Sequence, residues 1–274
     1  MATDEHQLAA LGARRIATDT DPSDLVLPGE SKRRLDWIMA WLSQPPLVFR
    51  EWGLSRFVDG GLRALFVGPS GTGKTMAAVV VAKYAGLQLY RIDLGAVVSN
   101  YIGETEKNLQ RVIETATGEG AVLLFDEADA LFARRSAVKD SHDRYANVDV
   151  GYLLQKIEAF EGLAILATNL ATDLDEAALT RIDVMVEFPR PDEPAREEIW
   201  RNLLQAMKIS RSDRLDAGAL AKAYELSGAE ILRAVRMAAL LAASADKPLD
   251  MELLKSAAEE RIAMRGGEKG RSLR

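Results

Sequence analysis

The feature that most constrains the fold is a glycine-rich octapeptide, Gly68-Pro69-Ser70-Gly71-Thr72-Gly73-Lys74-Thr75. An apolar run at 64–67, typical of a buried strand, comes directly before it, and a helix-forming stretch at 76–83 follows. Glycines let backbone N–H groups turn toward a bound anion, and the amino terminus of the helix adds its positive dipole end. Strand, loop and helix in this order predict a phosphate-binding P-loop, and the flanks argue against a glycine-rich turn without a ligand.

Two side chains at the end of this octapeptide have predicted roles of their own. Lys74 can reach the β- and γ-phosphates of a nucleotide, and the Thr75 hydroxyl can ligate Mg²⁺. The residues that we expect to bind the phosphates are Pro69, Ser70, Gly71, Thr72, Gly73, Lys74, Thr75 and Met76.

Composition limits the classes of partner. The chain has 274 residues, a net charge of −6 and no cysteine, which excludes a disulfide scaffold and thiolate chemistry. Apolar runs such as 121–125 are far too short to span a bilayer, and the polar residues 1–7 show no secretory signal. The acidic balance argues against nucleic acid as a partner. We therefore expect a cytoplasmic protein without a membrane partner.

Strand and helix patterns alternate from residue 61 to residue 189. This alternation predicts an α/β fold with a parallel five-stranded sheet and helices on both faces. The predicted strands are 63–67, 87–93, 121–126, 163–168 and 184–188. The predicted helices are 74–85, 104–117, 148–160 and 174–181.

Only helical patterns follow Pro189, and they predict a small all-helical domain with helices at 193–207, 216–225, 228–243 and 250–264. We divide the chain into a mobile N-terminal tail, an α/β domain, a helical domain and a C-terminal tail, at residues 1–20, 21–190, 191–264 and 265–274. Near the start of the α/β domain, Ser31 is expected to cap a helix. Trp37, Trp41 and Trp52 are expected to pack this region onto the main domain.

Two carboxylates, Asp126 and Glu127, end the apolar run 121–125. In open parallel sheets, ligands bind beyond the carboxyl ends of the strands, where the P-loop is also expected. Asp126 is therefore expected to support the Mg²⁺ shell, and Glu127 to polarise the attacking water as general base. The alternative is a pair of solvated acids, which the P-loop upstream disfavours.

Two further polar residues lie next to predicted strands. Asn169 ends the strand 163–168, and its amide can hydrogen-bond the γ-phosphate or the lytic water, whereas the alternative is an Asx-turn. Arg181 precedes the strand 184–188 and is a candidate finger that donates to the γ-phosphate of a neighbouring subunit. The alternative for Arg181 is a surface salt bridge with Asp175 or Asp183. The predicted catalytic residues are thus Lys74, Asp126, Glu127, Asn169 and Arg181.

Tyr101 and Ile102 form an aromatic–aliphatic pair beside Gly103 on a predicted loop. Such a pair on a loop favours contact with an external partner, and the alternative is packing beneath the loop. His142 lies in a polar run and is expected to be solvated, because His6 is the only other histidine and a zinc site needs more ligands.

Together these motifs resemble an AAA-type ATPase of the AAA+ superfamily, over about residues 22–264. GPSGTGKT at 68–75 matches the Walker A motif, LLFDEAD at 123–129 matches Walker B, and ATN at 167–169 matches the sensor-1 segment. SNYIGETEKNL at 99–109 is similar to the first pore loop of hexameric AAA remodellers. SGAEI at 227–231 resembles the second sensor in the helical lid domain of the family.

The resemblance implies a homo-oligomeric ring, usually a hexamer, in which ATP and Mg²⁺ bind between subunits. It places Asp24, Leu25 and Val26 near the adenine, largely through backbone atoms, and Ala229 at the sensor of the lid. It also implies that a protein substrate is threaded past Tyr101.

A narrower resemblance is carried by YIGETEKNL, FDEADALF and DSHDRYANV. These segments look like those of ATPases encoded with phage-tail-like contractile injection particles, whose components are then implied as partners. Three residues depart from the pattern of the family, namely Asn100, Thr180 and Val184. Because Val184 stands where many relatives carry a second interface arginine, Arg181 is left to act alone or with Arg144.

We therefore predict a Mg²⁺-dependent ATPase whose oligomeric ring remodels, assembles or disassembles protein complexes. One alternative is a nucleotide-controlled interaction module with slow turnover, against which the presence of Glu127 and Asn169 argues. The other alternative is a nucleic-acid motor or loader, against which the acidic balance argues.

Overall fold

The computed structural model describes residues 13–17, 20–43, 46–56, 61–93, 104–132, 154–170, 176–208 and 215–271. The chain divides into two compact units. The first comprises Met1–Thr20, Pro28–Pro69 and Lys74–Phe188, and the second comprises Asp21–Leu27, Ser70–Gly73 and Pro189–Arg274. Within the described ranges, none of the helices combines the length and apolar character that crossing a bilayer requires.

The first unit is built on a sheet of six described strands in the order β1-β3-β4-β5-β2-β6. The strands are β1 (Ala13–Ile16), β2 (Leu62–Val67), β3 (Leu89–Asp93), β4 (Val122–Asp126), β5 (Leu163–Thr168) and β6 (Val184–Glu187). Strands β2 to β6 are parallel to one another, and Ala64 of β2 lies opposite Ile165 of β5 and Val184 of β6. Because β5 lies between β4 and β2, the carboxyl ends of these three strands are adjacent.

This sheet confirms the predicted α/β architecture, but the predicted number of strands is one short. Strand β1 pairs antiparallel with β3, with Ala13 opposite Ile92 and Ile16 opposite Leu89. The prediction of a mobile tail over 1–20 is therefore wrong for residues 13–16, which form a strand. Hydrogen bonds to the edge of β3 hold β1 in the sheet. Only Ala13 of the four residues of β1 is buried, so the apolar pattern of this strand is too short to be detected in the sequence.

The helices of the first unit are α1 (Gly29–Ser43), α2 (Lys74–Ala85), α3 (Glu104–Glu119), α4 (Asp129–Phe132) and α5 (Glu176–Leu179). Residues 154–158 are also helical, within the predicted helix 148–160. Helix α2 is buried along most of its length because its side chains are mainly alanine and valine. Helix α3 contributes Val112 and Ala116 to a core cluster with Tyr90, Leu123 and Phe125 of the sheet.

Helix α1 covers the outer edge of β6. Ser31 does not cap the helix as predicted, because the helix already begins at Gly29. The Ser31 Oγ instead donates to the carbonyl of Glu187 at 2.6 Å, and Arg34 Nη1 donates to the carbonyl of Met185 at 2.8 Å. These side chains satisfy carbonyl groups of an edge strand that would otherwise be open to pairing with another chain.

Of the three tryptophans expected to pack this region onto the main domain, Trp41 is half-buried and the other two are largely exposed. Trp37 is 55% exposed and Trp52 is 72% exposed, so neither packs onto the sheet. Leu35 and Ile38 are the buried side chains of α1. Since 35 and 38 are one helical turn apart and 37 lies between them, Trp37 points away from the buried face.

The second unit is helical, with α6 (Glu193–Ala206), α7 (Ala217–Ala223), α8 (Gly228–Ser244) and α9 (Met251–Arg271). The side chains of Asp192, Asp216 and Ser227 cap α6, α7 and α8 by accepting backbone N–H groups. A separate core cluster surrounds Trp200 and Leu254.

Helix α9 corrects the prediction of a C-terminal tail from residue 265, because it continues to Arg271. The glycines at 266 and 267 favour an earlier end. However, Leu254, Ala257 and Ala258 anchor the helix in the core, and each residue added to a helix that is already nucleated costs little.

Candidate functional site

The carboxyl ends of three neighbouring strands bring together the residues with predicted chemistry in the first unit. Asp126 ends β4, Asn169 follows β5, and Gly68 follows β2. The order β4-β5-β2 makes these ends adjacent. Sequence positions about 40 to 100 residues apart therefore converge at one edge of the sheet, as expected for open parallel sheets.

Gly68 begins the P-loop at a point of close backbone approach. Its φ is 155°, and a Cβ built there would lie 2.1 Å from the carbonyl oxygen of Phe188. The Phe188 amide donates to the carbonyl of Val67 at 2.7 Å, which holds the two backbones together. Only glycine fits this position without moving the end of β6.

Lys74 lies at the start of α2 and its side chain is buried. Its Nζ donates to the carbonyl of Gly68 at 2.5 Å, the carbonyl of Pro69 at 3.0 Å and Asn169 Oδ1 at 3.0 Å. An ammonium group has three N–H donors, so these three acceptors satisfy it. The amine is thereby held among neutral oxygens at the place where the motif predicts phosphates.

The charge of Lys74 is not fully compensated in this setting. Burial lowers the pKa of Lys74 below its ordinary value of 10.5, and the negative charges of Asp126 and Asp129 oppose that shift. Because burial is the larger cause, the site disfavours the charged amine and would be relieved by an anion. This electrostatic state suits a phosphate ligand.

Asp126 and Glu127 lie side by side but in different surroundings. Asp126 Oδ1 accepts the Glu127 amide at 3.0 Å, and Asp126 Oδ2 lies 2.8 Å from Arg91 Nη2 of β3. Glu127 is exposed and has a φ of 56°, one of two non-glycine residues with positive φ among those described. Such a backbone conformation costs energy and is found most often at functional sites.

Asn169 is linked to the end of β4 through a carboxylate that the sequence analysis did not single out. The Asn169 amide donates to Asp129 Oδ1 at 2.8 Å, and the Thr168 hydroxyl donates to the same oxygen. Because Asn169 Oδ1 faces Lys74, its side-chain nitrogen is the group that can donate to a phosphate or water. The signal for Asp129 is its place three residues after Asp126 in the first turn of α4.

Four P-loop residues, Ser70–Gly73, belong to the second unit and make their contacts there. The amide of Ala229 donates to the carbonyl of Gly71 at 3.0 Å. Gly71 has a φ of 79°, and a Cβ there would lie 2.9 Å from both Ala229 Cβ and Ser227 Oγ. A Cβ at Gly73 would lie 3.4 Å from Leu25 Cδ1. The predicted nucleotide-binding residues Leu25 and Ala229 therefore lie against the loop.

Two other predicted nucleotide contacts lie next to these elements. Val26 follows Leu25 and is half-buried, and Met76 is half-buried in the first turn of α2. Tyr101, Ile102, Asn100, His142 and Arg144, which the sequence analysis singled out, lie outside the described residues.

Arg181 lies beyond the amino ends of β2 and β6, opposite to the P-loop. It precedes Val184, the first residue of β6, and Val184 is paired with Ala64 near the start of β2. Strand β2 spans roughly 20 Å at about 3.3 Å per residue, so Arg181 cannot reach the phosphate end of its own sheet. Its partner is Glu158, with Arg181 Nη1 3.0 Å from Glu158 Oε1.

Of the two partners that the sequence analysis considered for Arg181, Asp175 lies outside the described residues and Asp183 pairs with Arg63 instead. Asp183 Oδ2 accepts the Arg63 amide at 2.7 Å and lies 3.0 Å from Arg63 Nε. Arg63 Nη1 also donates to the carbonyl of Glu158 at 3.2 Å. Arg63, whose side chain is 17% exposed, thus holds both Asp183 and the backbone of Glu158, whereas the Arg181 side chain is 41% exposed.

The donor set at the carboxyl ends fits Mg²⁺. Thr75 offers a hydroxyl oxygen in the first turn of α2, and Asp126 offers a carboxylate. Mg²⁺ prefers oxygen ligands and is usually held by one or two protein groups together with substrate phosphates. Among the described residues, no group of three or more histidine, cysteine or acidic side chains could hold a metal alone. The site therefore suits an ion that is bound jointly with a nucleotide.

A parallel sheet with a P-loop, a buried lysine and carboxylates at neighbouring strand ends defines a P-loop nucleotide-binding domain. Residues 64–190 match the model of the ATPase family associated with various cellular activities, or AAA. Over these residues the chain therefore matches an AAA ATPase domain, a match that implies ATP binding.

Individual relatives agree with this family. The chain is 40% identical over 188 residues to an uncharacterized AAA family ATPase, y4kL, of Sinorhizobium fredii, covering 68% of this chain and 55% of that protein. It is 33% identical over 210 residues to proteasome-activating nucleotidase 1 of Haloferax volcanii, covering 74% and 50%. It is 33% identical over 182 residues to the ATPase family gene 2 protein of Schizosaccharomyces pombe, covering 65% and 22%. The chain thus spans about half, or less, of the length of these relatives.

Proposed function

We propose that this protein binds ATP with Mg²⁺, hydrolyses it at sites shared between identical subunits of a ring, and uses the energy to remodel protein complexes. The observation that carries the proposal is the convergence of Lys74, Asn169 and the Asp126–Glu127 pair at adjacent strand ends. It supplies a phosphate-binding cation, a polar amide and a candidate general base in one place.

Each residue has a role that follows from its surroundings. Lys74 exchanges its carbonyl partners for phosphate oxygens, whose negative charge stabilises the protonated amine. Asn169, held at its backbone by Asp129, orients its amide toward the γ-phosphate or the lytic water. Glu127, exposed beside Asp126, accepts a proton from the attacking water. Thr75 and Asp126 hold Mg²⁺, which neutralises charge on the β- and γ-phosphates when bound.

The position of Arg181 supports a shared site. It lies at the end of the sheet away from its own P-loop, so only a neighbouring subunit can receive it as a finger. The Arg181 side chain is 41% exposed and its ion-pair partner among the described residues is Glu158, so it can exchange that partner for a phosphate. Val184 offers no second cation at this position, so Arg181 acts alone or with Arg144.

The kind of work follows from the resemblance to AAA remodellers. One relative is named proteasome-activating nucleotidase 1, and this name supports a role in acting on proteins. We propose a hexamer in which Tyr101 grips a threaded chain, with the helices from Glu193 onward as the lid. Leu25, Val26 and Ala229 are the proposed contacts near the adenine. Components of phage-tail-like contractile particles are the proposed partners.

The experiment that tests this function is the Glu127→Gln variant. It keeps the size and polarity of the side chain but removes the general base. We expect ATP affinity to stay within about twofold by calorimetry while hydrolysis falls ~100-fold or more. Glu161→Gln, an exposed glutamate just before β5 at the opposite end of the sheet, is the matched control and should hydrolyse ATP at the parental rate.

The outcomes separate the parts of the proposal. Parental hydrolysis by Glu127→Gln would exclude Glu127 as the base. A parent protein that binds ATP but turns it over negligibly at every protein concentration would favour the nucleotide-controlled module. The ion pair between Glu158 and Arg181 favours this second function, because it engages the candidate finger within its own subunit.

A further inference from the structure

Arg91 is a cation at the phosphate end of the sheet that the proposed mechanism does not use. It lies in β3, where it is paired in register with Leu124 of β4. Asp126 follows Leu124 by two positions and therefore projects from the same face of the sheet. The Arg91 guanidinium reaches along the strand to this carboxylate, with Nη2 2.8 Å from Asp126 Oδ2.

Both oxygens of Asp126 are occupied in this arrangement. Oδ2 faces Arg91, and Oδ1 accepts the Glu127 amide at 3.0 Å. Lys74 also acts on this carboxylate through its charge. A divalent cation that depends on Asp126 therefore has to approach a carboxylate that a guanidinium already contacts.

The exposure of the two partners differs in a way that decides which one moves. The Arg91 side chain is 45% exposed, whereas that of Asp126 is 17% exposed. An exposed arginine can rotate into water at small cost, while a carboxylate at the end of a buried strand cannot follow it. Release of the ion pair thus moves Arg91 and leaves Asp126 in place.

A second arginine makes the ion pair more than an isolated surface contact. Arg14 of β1 lies directly opposite Arg91 across the antiparallel pair. Like charges directly opposite each other on neighbouring strands repel. Asp126 offsets this repulsion for Arg91 when the metal is absent, which strengthens its hold on the carboxylate.

We propose that Arg91 competes with Mg²⁺ for Asp126 and so sets the Mg²⁺ concentration at which the nucleotide site is filled. This inference rests on the proposed function, because it requires a Mg²⁺–nucleotide complex at the P-loop. Arg91 acts only through Asp126 and does not contact the nucleotide.

The test measures ADP binding by calorimetry over a series of free Mg²⁺ concentrations, so that no hydrolysis is needed. In Arg91→Ala, the Mg²⁺ concentration that gives half of the maximal gain in ADP affinity should fall about two- to fivefold, the range expected for a partly exposed ion pair. ADP affinity in EDTA should stay within about twofold of the parent. Arg91→Gln guards against a folding defect and should behave like Arg91→Ala.

Three controls make the result specific. Arg14→Ala removes the same charge one strand further from Asp126 and should lower the Mg²⁺ requirement by less than Arg91→Ala does. Arg91→Lys keeps the charge and should stay closer to the parent than Arg91→Ala. In an Asp126→Asn background, Arg91→Ala should have no further effect.

Several results would overturn the inference. An unchanged or increased Mg²⁺ requirement in Arg91→Ala would show that Arg91 does not compete with the metal. An equal effect of Arg14→Ala would assign the change to long-range charge rather than to the ion pair. A parent that bound no nucleotide would overturn the proposed function and this inference together, whereas normal binding that Arg91→Ala leaves unaltered would overturn this inference alone.

Discussion

The two ends of the parallel sheet hold their charged groups in opposite ways. At the carboxyl ends, Lys74 is buried and donates to three oxygens whose partial charges do not fully compensate it. At the amino ends, Arg181 and Glu158 form an ion pair in which the side chains are 41% and 37% exposed. The carboxyl end thus holds a desolvated cation that an anion would stabilise, and the amino end holds a partly solvated cation that can change partners.

This contrast shows which interactions cost much free energy to change. A buried charge that loses its partners carries a large desolvation penalty, whereas a surface ion pair contributes about 0–1 kcal/mol. The carboxyl end is therefore suited to bind one ligand strongly. The amino end is suited to present Arg181 to a neighbouring subunit without a large loss of stability.

The largest effect is expected from Arg181→Ala. Loss of the finger should lower hydrolysis ~10³-fold or more, because the group acts on charge that develops in the transition state. ATP affinity of each subunit should change little, since Arg181 lies away from its own P-loop. Steady-state hydrolysis and calorimetry on the same samples measure the two quantities.

Mixing variants tests whether the two ends meet between subunits. Subunits with Arg181→Ala keep a functional carboxyl end, and subunits with Lys74→Ala keep a functional amino end. Mixed rings should regain part of the activity that neither variant has alone. Mixed rings that demonstrably form but stay inactive would contradict the assignment of the two ends to one shared site.

Lys74→Ala should have the second-largest effect, on affinity. Loss of a charge-assisted hydrogen bond costs about 1.5–3 kcal/mol, which corresponds to roughly 10- to 150-fold weaker ATP binding. Lys83→Ala is the matched control at the other end of α2, where Nζ donates to the carbonyl of Thr20 at 2.8 Å. The P-loop assignment fails if both variants bind ATP with parental affinity.

The buried amine also predicts a dependence of stability on pH. Burial lowers the pKa of Lys74 in the folded protein, and the unfolded chain has the ordinary value of 10.5. Between these two values the unfolded chain binds more protons, so this group makes the free energy of unfolding rise with pH over that window. Below the lowered folded pKa, the folded protein carries the full penalty of the buried charge.

Lys74→Met removes this contribution while filling similar space. Urea unfolding of the parent and of Lys74→Met from about pH 8 to about pH 10 should show a rise for the parent relative to the variant. Tyr224, whose pKa is raised by burial, titrates in both proteins and cancels in the difference. Parallel curves would mean that Lys74 keeps its ordinary pKa when folded.

The smallest effect on stability is expected from Glu158→Gln. It removes an exposed ion pair, so the free energy of unfolding should change by less than about 1 kcal/mol. Asp183→Asn, which weakens the contacts to the half-buried Arg63, should destabilise more. Equal losses of unfolding free energy in the two variants would show that the Glu158–Arg181 pair contributes as much to stability as the contacts between Asp183 and Arg63.

Much of this architecture was predictable because its signals are local. The apolar runs that become β2, β4 and β5 are continuous, and the P-loop lies between one strand and one helix. The apolar runs of β4 and β5 are followed directly by the polar residues Asp126 and Asn169. Asp126, Glu127 and Asn169 could therefore be named before it was known which strands are neighbours.

The contacts between these elements depend on the tertiary structure. The order β4-β5-β2 joins Asn169 to Lys74, and the pairing of β3 with β4 joins Arg91 to Asp126. Strand β1 depends on the edge of β3 and has almost no apolar pattern of its own. The class of fold and the residues at the strand ends follow from the sequence, because periodicity and motif spacing are properties of short segments. Partners and charge states depend on burial and on non-local strand order, which short segments do not encode.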